Sequence, residues 1–166
     1  AAHIRQKIGT AGGSISFAEY MHEVLYAHGL GYYVSGTTKF GANGDFVTGP
    51  EVSPLFGCVL ARQFAWLQSK IGSFHILELG AGSGELVVQL LRQLAELDCL
   101  PEEYLILEVS ADLIERQRRK LQVDIPEFIE RVRWIAMLPD SFSGVVVANE
   151  VADAITVERF RIENGD

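Results

Sequence analysis

The stretch that decides the fold reads ILELGAGSGEL and covers residues 76–86. Its apolar first half predicts a buried strand, and the residues after the last glycine predict the start of a helix. Between them, Gly80, Gly82 and Gly84 alternate with small residues, which predicts a tight turn. Such a strand–turn–helix junction binds nucleotide-like cofactors in α/β proteins, because glycine lets a ligand approach the backbone and the helix start offers free N–H groups.

The sequence around this turn alternates between apolar runs and amphipathic stretches. Strands are predicted over 73–79, 104–109, 131–135 and 144–150, and helices over 86–97 and 112–122. This order predicts an α/β fold with a parallel, doubly wound, Rossmann-like sheet and right-handed crossovers. Residues 156–162 predict one more strand with no partner after it, so we expect a fragment that is truncated at its C-terminal side.

A helical region is predicted before the sheet. Ser16 and Glu19 have capping-box spacing and start one helix, and Ser53-Pro54 starts a second that runs to Gly72 with an apolar stripe toward the core. Residues 29–50 are rich in glycine and aromatic residues and follow no period, which fits either a binding loop or ordinary packed turns. We therefore predict N-terminal helices and a loop over 1–72, packed on a cofactor domain over 73–166.

The composition limits the classes of function. The chain has 166 residues, 48% of them hydrophobic, and a formal net charge of −8, which predicts a globular protein and argues against capture of nucleic acid or anionic membrane surfaces. The two cysteines and four histidines lack the spacing of metal ligands, so no metal is expected. No apolar run reaches the ~18 residues that cross a bilayer, so no membrane insertion is expected. A small molecule or a protein partner fits better.

The spacing of the glycines distinguishes two cofactor classes. A dinucleotide-binding fingerprint needs G-x-G-x-x-G, whereas residues 80–84 read G-x-G-x-G and the next residue is glutamate. With Glu78 two residues before the first glycine, the stretch resembles motif I of class I S-adenosylmethionine-dependent methyltransferases. That resemblance implies binding of S-adenosyl-L-methionine, with Glu78 near its ammonium group. The residues around the cofactor would be Gly80, Ala81, Gly82, Ser83 and Gly84. An NAD(P)-dependent oxidoreductase is the alternative enzyme class.

Polar residues follow two other predicted strands. Glu108 lies at the end of the second, where its carboxylate could accept hydrogen bonds from both hydroxyls of a ribose in either cofactor class. Asn149, Glu150 and Asp153 follow the fourth, and ligands bind in the crevice outside the carboxyl ends of an open parallel sheet. We expect Asn149 near the cofactor, and Glu150 and Asp153 near the substrate. Capping of a following helix is the alternative role for Asn149 or Asp153.

Three stretches together resemble the MidA family of class I methyltransferases, which includes a mitochondrial complex I assembly arginine methyltransferase and bacterial relatives. They are SFAEYM at 16–21, GDFVTGPEVS at 44–53 followed by Phe56-Gly57, and ELGAGSG at 78–84. The match continues at residues 108–110 and 148–150. The second stretch is the most specific of these, since any class I methyltransferase could share the glycine turn.

The resemblance implies methyl transfer to an arginine of a protein substrate. A guanidinium stays protonated at neutral pH, so paired carboxylates are suited to orient it, and the candidates are Glu150, Asp153 and Glu51. Val151 and Ala152 stand where the family usually has two aromatic residues. The alternative is a catalytically weak or inactive binding or assembly protein with the same fold. The family implies the bacterial cytoplasm, or the mitochondrial matrix for a eukaryotic source.

Overall fold

The computed structural model describes residues 1–34 and 47–163. These residues form two compact units, one made of residues 1–34 with 152–163 and the other of residues 47–151. Much of the segment predicted to be a loop or a set of turns, including the first residues of the family-like stretch at 44–53, lies outside the described residues.

The first unit contains α1 (Ala2–Thr10), α2 (Phe17–Tyr26) and short 3-10 turns at Tyr32–Val34 and Ala152–Ala154. α2 begins as predicted, because the Glu19 N–H donates to Ser16 Oγ (3.1 Å) and the Ser16 N–H donates to Glu19 Oε2 (2.7 Å). The sequence analysis makes no prediction for α1, a helix that has no buried residue.

The second unit is built on a four-stranded sheet in which every strand runs parallel to its neighbours, in the order β3-β2-β1-β4. The strands are β1 (His75–Leu79), β2 (Tyr104–Leu107), β3 (Val132–Ile135) and β4 (Gly144–Val147). This confirms the predicted parallel, Rossmann-like sheet. Because β1 pairs with both β2 and β4, the chain leaving β1 has the carboxyl ends of two other strands beside it.

Besides a 3-10 helix at Pro126–Arg131, the described part of this unit has four α-helices. They are α3 (Gly49–Val52), α4 (Leu55–Ile71), α5 (Glu85–Glu96) and α6 (Ala111–Asp124). The last three share one core with the face of the sheet that carries Ile76, Tyr104 and Ile106. Burial of each large apolar side chain contributes roughly 1.5–3 kcal/mol, and α5 has six buried apolar side chains besides the buried Gln89. α5 is therefore fixed against the sheet, which fixes the turn between β1 and α5.

A buried glutamine joins three of these helices. Gln89 of α5 accepts a hydrogen bond from the Gly57 N–H of α4 (3.1 Å) and donates one to the Pro50 carbonyl oxygen of α3 (2.6 Å). A Cβ atom at position 57 would lie 2.7 Å from Gln89 Oε1. α4 and α5 can approach this closely because position 57 is glycine.

The orientation of α4 differs from the prediction. Its apolar stripe places Leu55 and Val59 in the core, but these residues are 69% and 58% exposed. Phe64 of the same stripe is buried as predicted, and Phe56 and Leu60 pack against the core, but Gly57 and Ala61 are also buried. The reason is the close approach to Gln89, which requires a small residue at the contact and leaves Leu55 and Val59 exposed to solvent.

Two expectations about the organisation of the chain have different outcomes. The strand predicted over 156–162 is wrong: residues 156–163 have no regular secondary structure, because no strand among the described residues pairs with them. The domain division predicted at residue 72 stays a prediction, while the compact units place α4 together with the sheet.

Candidate functional site

The turn between β1 and α5 is built from glycines in a conformation that other residues avoid. Gly80, Gly82 and Gly84 have φ angles of 63°, 55° and 83°, and this left-handed region costs an L residue roughly 1–2 kcal/mol. Gly84 also lies at the N-cap position of α5. The backbone of the turn therefore requires the alternating glycines of the sequence.

The turn leaves three consecutive backbone donors available. The Gly80 N–H donates to the Leu107 carbonyl oxygen (2.9 Å), and the Gly84 N–H donates to the Ala81 carbonyl oxygen (2.8 Å). Between them, the N–H groups of residues 81–83 donate to no residue in the part of the chain that the structure describes. Free N–H groups at the start of a helix suit the polar groups of a ligand. The turn therefore fits the cofactor class that the sequence implies.

Glu108 directly follows β2 and lies at the same edge of the sheet as the turn, because β1 and β2 are parallel neighbours. Only 8% of the residue is exposed. Its Oε1 atom accepts a hydrogen bond from the Ser110 N–H (3.0 Å) and its Oε2 atom accepts one from Gln117 Nε2 (3.2 Å). Burial raises the pKa of this carboxyl, and these hydrogen bonds oppose the rise. Because both oxygens have further lone pairs, a carboxylate held in this way can accept two ribose hydroxyls.

Glu78 lies on the helix-facing side of β1 and is only 2% exposed. Its Oε2 atom accepts a hydrogen bond from the Tyr104 hydroxyl (2.7 Å). Burial raises the pKa of Glu78 to about 7, the bond from Tyr104 opposes that rise, and the charge of Glu108 adds to it. Near neutral pH this carboxyl is therefore only partly ionised, which reduces the negative charge that it could offer to an ammonium group.

The chain after β4 reaches the glycine turn. A Cβ atom at Gly80 would lie 3.4 Å from Cγ2 of Val151, one of the two positions that depart from the family pattern. Asn149 is half-buried and Glu150 is exposed. Glu150 has a φ angle of 53°, and non-glycine residues in such conformations are concentrated at functional sites. The structure thus brings residues 149–151 and the turn to one edge of the sheet.

The other two predicted catalytic residues lie in short helical segments. Glu51 belongs to α3, and its Oε2 atom accepts a hydrogen bond from the Thr48 N–H (3.4 Å) as part of a capping box. Asp153 is exposed and lies in the 3-10 turn of the first unit, where its charge adds to burial in raising the pKa of Tyr33. Their approach to a substrate stays a prediction.

Gln117 of α6 is the site residue that sequence reasoning misses. It is fully buried, and its Nε2 atom donates to the Gly82 carbonyl oxygen (3.0 Å) and to Glu108 Oε2 (3.2 Å). Its Oε1 atom accepts a hydrogen bond from Trp134 Nε1 (2.8 Å). In the sequence it shares the apolar side of a predicted helix, which indicates only packing. A polar residue on that side was the available signal, because a buried amide needs hydrogen-bond partners.

A cleft of about 380 Å³ is lined by Leu105, Arg133 and residues 135–140. Leu105 and Arg133 are cross-strand partners. Leu105 alternates along β2 with the core-facing Tyr104 and Ile106, and Arg133 alternates along β3 with the core-facing Val132 and Trp134. Neither the glycine turn nor Glu108 lines the cleft. The cleft therefore belongs to the face of the sheet opposite the helices and is separate from the candidate site.

Within residues 1–34 and 47–163, no group of three or more His, Cys, Asp or Glu side chains could hold a metal ion. None of the helices described is both long and apolar enough to cross a membrane.

Residues 56–166 match the protein family described as "Putative S-adenosyl-L-methionine-dependent methyltransferase". The chain is 34% identical over 187 residues to "Protein arginine methyltransferase NDUFAF7, mitochondrial" of Mus musculus, which covers 96% of this chain and 42% of that protein. It is 32% identical over 181 residues to the NDUFAF7 homolog of Caenorhabditis elegans, covering 93% and 41%. The chain thus spans about two fifths of the length of these curated relatives.

Two solved structures are similar to this chain over more than nine tenths of its length. A Burkholderia thailandensis protein bound to S-adenosyl-homocysteine superposes with a TM-score of 0.88 at 46% identity, over 93% of this chain and 41% of that chain. A second crystal structure of a Burkholderia thailandensis protein gives a TM-score of 0.82 at 46% identity, over 95% of this chain and 40% of that chain. These similarities confirm the class I methyltransferase fold expected from the sequence.

Proposed function

The chain belongs to the S-adenosyl-L-methionine-dependent methyltransferase family matched by residues 56–166, and from that premise we propose that the protein methylates a protein substrate. The observation that carries the proposal is the glycine turn beside Glu108 of the neighbouring strand, with three left-handed glycines and three N–H groups that donate to no residue among those described. The family and the similar structure bound to S-adenosyl-homocysteine favour this reading over an NAD(P)-dependent oxidoreductase.

The proposed cofactor site combines backbone and side-chain groups from three strand ends. The N–H groups of residues 81–83 bind polar groups of the methionine part, and the Glu108 carboxylate accepts the ribose hydroxyls. Asn149 offers a side-chain amide from the end of β4, and Glu78, two residues before the first glycine of the turn, is proposed to lie near the ammonium group of the cofactor. When bound, the cofactor supplies a methyl group activated by a sulfonium. The chain holds it at the sheet edge where Glu150 also lies.

We propose an arginine side chain as the methyl acceptor, since the curated relatives are named protein arginine methyltransferases. A guanidinium has a pKa above ~12 and donates paired hydrogen bonds to carboxylates. Glu150 is exposed at the edge of the sheet that carries the turn, which suits it to orient such a group. Glu51 and Asp153 are the further carboxylates proposed for this role.

The compartment that we propose is the bacterial cytoplasm. The similar structures from Burkholderia thailandensis are 46% identical to this chain, compared with 32% and 34% for the mitochondrial relatives from Caenorhabditis elegans and Mus musculus. In a eukaryotic source, the mitochondrial matrix would be the corresponding location.

The test is to incubate the full-length protein with isotope-labelled S-adenosyl-L-methionine and a protein extract of its source, and to locate the label by mass spectrometry. The proposal predicts labelled arginine side chains. Cofactor binding without any transfer would instead support a binding or assembly role. Label on another residue type would retain the methyltransferase and overturn the arginine assignment.

A further inference from the structure

Gln117 ties together three elements around the proposed cofactor site. Its two N–H groups reach the Gly82 carbonyl oxygen of the turn (3.0 Å) and Glu108 Oε2 at the end of β2 (3.2 Å). Its carbonyl oxygen accepts the hydrogen bond from Trp134 Nε1 of β3 (2.8 Å). The glutamine is 0% exposed; its bond to Glu108 is buried, and its bonds to Gly82 and Trp134 are part-buried.

The chemistry of these contacts requires an amide of this length. Two donors and one acceptor are in use, and glutamate cannot donate and would add a second negative charge beside Glu108. Asparagine is one methylene shorter, and methionine fills a similar volume without any of the three hydrogen bonds. The Gln117 Cγ atom also lies 3.6 Å from the position of a Cβ at Gly84, so the side chain packs against the turn.

Trp134 fixes the orientation of this amide. The indole N–H can only donate, so it selects the orientation in which the carbonyl oxygen of Gln117 faces β3 and both N–H groups face the site. The guanidinium of Arg118 lies 5.0 Å from the centre of the Trp134 ring, which favours the present position of the indole.

We propose that Gln117 is a positioning residue for the ribose of the cofactor. By donating to the turn and to Glu108 at once, it sets the separation between them, so that the carboxylate meets the ribose hydroxyls while the turn holds the methionine part. This inference rests on the proposed function, because it assumes that the turn binds S-adenosyl-L-methionine.

The test is a double-mutant cycle in which one change is a substitution in the protein and the other is the removal of one hydroxyl from the ligand. Isothermal titration calorimetry gives the Kd of the full-length protein for S-adenosyl-homocysteine and for its 2′-deoxyribose analogue. The unaltered protein should bind the deoxy analogue roughly tenfold more weakly, as expected for one hydrogen bond to a charged group. In Gln117→Met the two ligands should bind with nearly equal affinity, as they should in Glu108→Ala.

The matched control is Gln89→Met, which also removes a buried glutamine with three hydrogen-bond partners, in this case Gly57, Pro50 and Glu85. In this variant the Kd values of the two ligands should still differ roughly tenfold, as expected for one hydrogen bond to a charged group. If Gln117→Met weakens both ligands by the same factor, Gln117 is only structural and the inference is overturned.

A second variant decides the matter if Gln117→Met does not fold. Trp134→Phe keeps the glutamine but removes the hydrogen bond that orients it. The ratio between the Kd values of the two ligands should therefore fall, but by less than in Gln117→Met. An unchanged difference in that variant would overturn the inference. Failure of the unaltered protein to bind S-adenosyl-homocysteine would instead contradict the proposed function itself.

Discussion

Gly84 shows most directly what the turn demands of a single residue. Its φ angle is 83°, and a Cβ atom there would make only ordinary contact with Gln117 Cγ, at 3.6 Å. Gly84→Ala should therefore lower the free energy of unfolding by roughly 1–2 kcal/mol through backbone strain, as measured by urea denaturation. Gly84→Asn should lower the free energy of unfolding by less, because asparagine tolerates the left-handed conformation. An alanine variant as stable as the parent would contradict this account of the turn.

Glu78 should make stability depend on pH. Its pKa is about 7 in the folded protein against 4.5 ordinarily, so between these values the folded state binds more protons than the unfolded state. The free energy of unfolding should therefore fall as pH rises from 4.5 toward 7. Glu78→Gln should remove a fall on the order of 3 kcal/mol, leaving a flatter stability profile.

Urea denaturation at several pH values measures this contribution. The matched control is Glu127→Gln, a substitution of an exposed glutamate, which should keep the parent's profile. If Glu78→Gln and the parent lose stability in parallel as pH rises, the burial of Glu78 is not the cause.

Single residues differ in how far the sequence predicts them. The turn glycines and Glu108 are predictable, because the backbone of a tight turn and the end of a strand both leave local patterns. Gln117 and Gln89 are not, since their partners Gly82 and Gly57 lie 35 and 32 residues away in the chain. Only the packing of helices brings these groups together.

At the scale of elements, the contact between α4 and α5 depends on Gly57. Alanine normally stabilises a helix relative to glycine by about 1 kcal/mol, but a Cβ at position 57 would lie 2.7 Å from Gln89 Oε1. Gly57→Ala should therefore destabilise the protein by roughly 1–3 kcal/mol, measured as a shift of the denaturation midpoint. Gly9→Ala in α1, where a Cβ meets nothing within 4 Å, should instead be neutral or stabilising. The same sign of effect in both variants would contradict the close approach.

The sequence predicts which elements form better than how they pack. β1 and α5 are recognisable because each has a strong apolar pattern next to the glycine turn. The buried side of α4 is not recognisable, because apolar residues lie on most sides of that helix. The contact with Gln89 determines which side is buried. The strand predicted over 156–162 fails for a related reason, since a strand exists only if a neighbour pairs with it.

At the scale of the whole molecule, Glu150 should affect methyl transfer without affecting cofactor binding. Glu150→Gln keeps the size of the side chain but removes the charge that would orient a guanidinium, so methylation by the full-length protein should fall roughly ten- to a hundredfold. The affinity for S-adenosyl-homocysteine should stay at the parent's value. Glu158→Gln, at another exposed glutamate, is the control and should methylate normally. Unchanged methylation by Glu150→Gln would exclude this role.

The central claim is that the glycine turn and Glu108 form a site for S-adenosyl-L-methionine. The most direct measurement is calorimetric titration of the full-length protein and of Glu108→Ala with S-adenosyl-homocysteine and with NADH. The account predicts that the unaltered protein binds S-adenosyl-homocysteine and not NADH, and that Glu108→Ala binds it at least roughly tenfold more weakly. Binding of NADH alone, or equal affinity of both proteins for S-adenosyl-homocysteine, would contradict it.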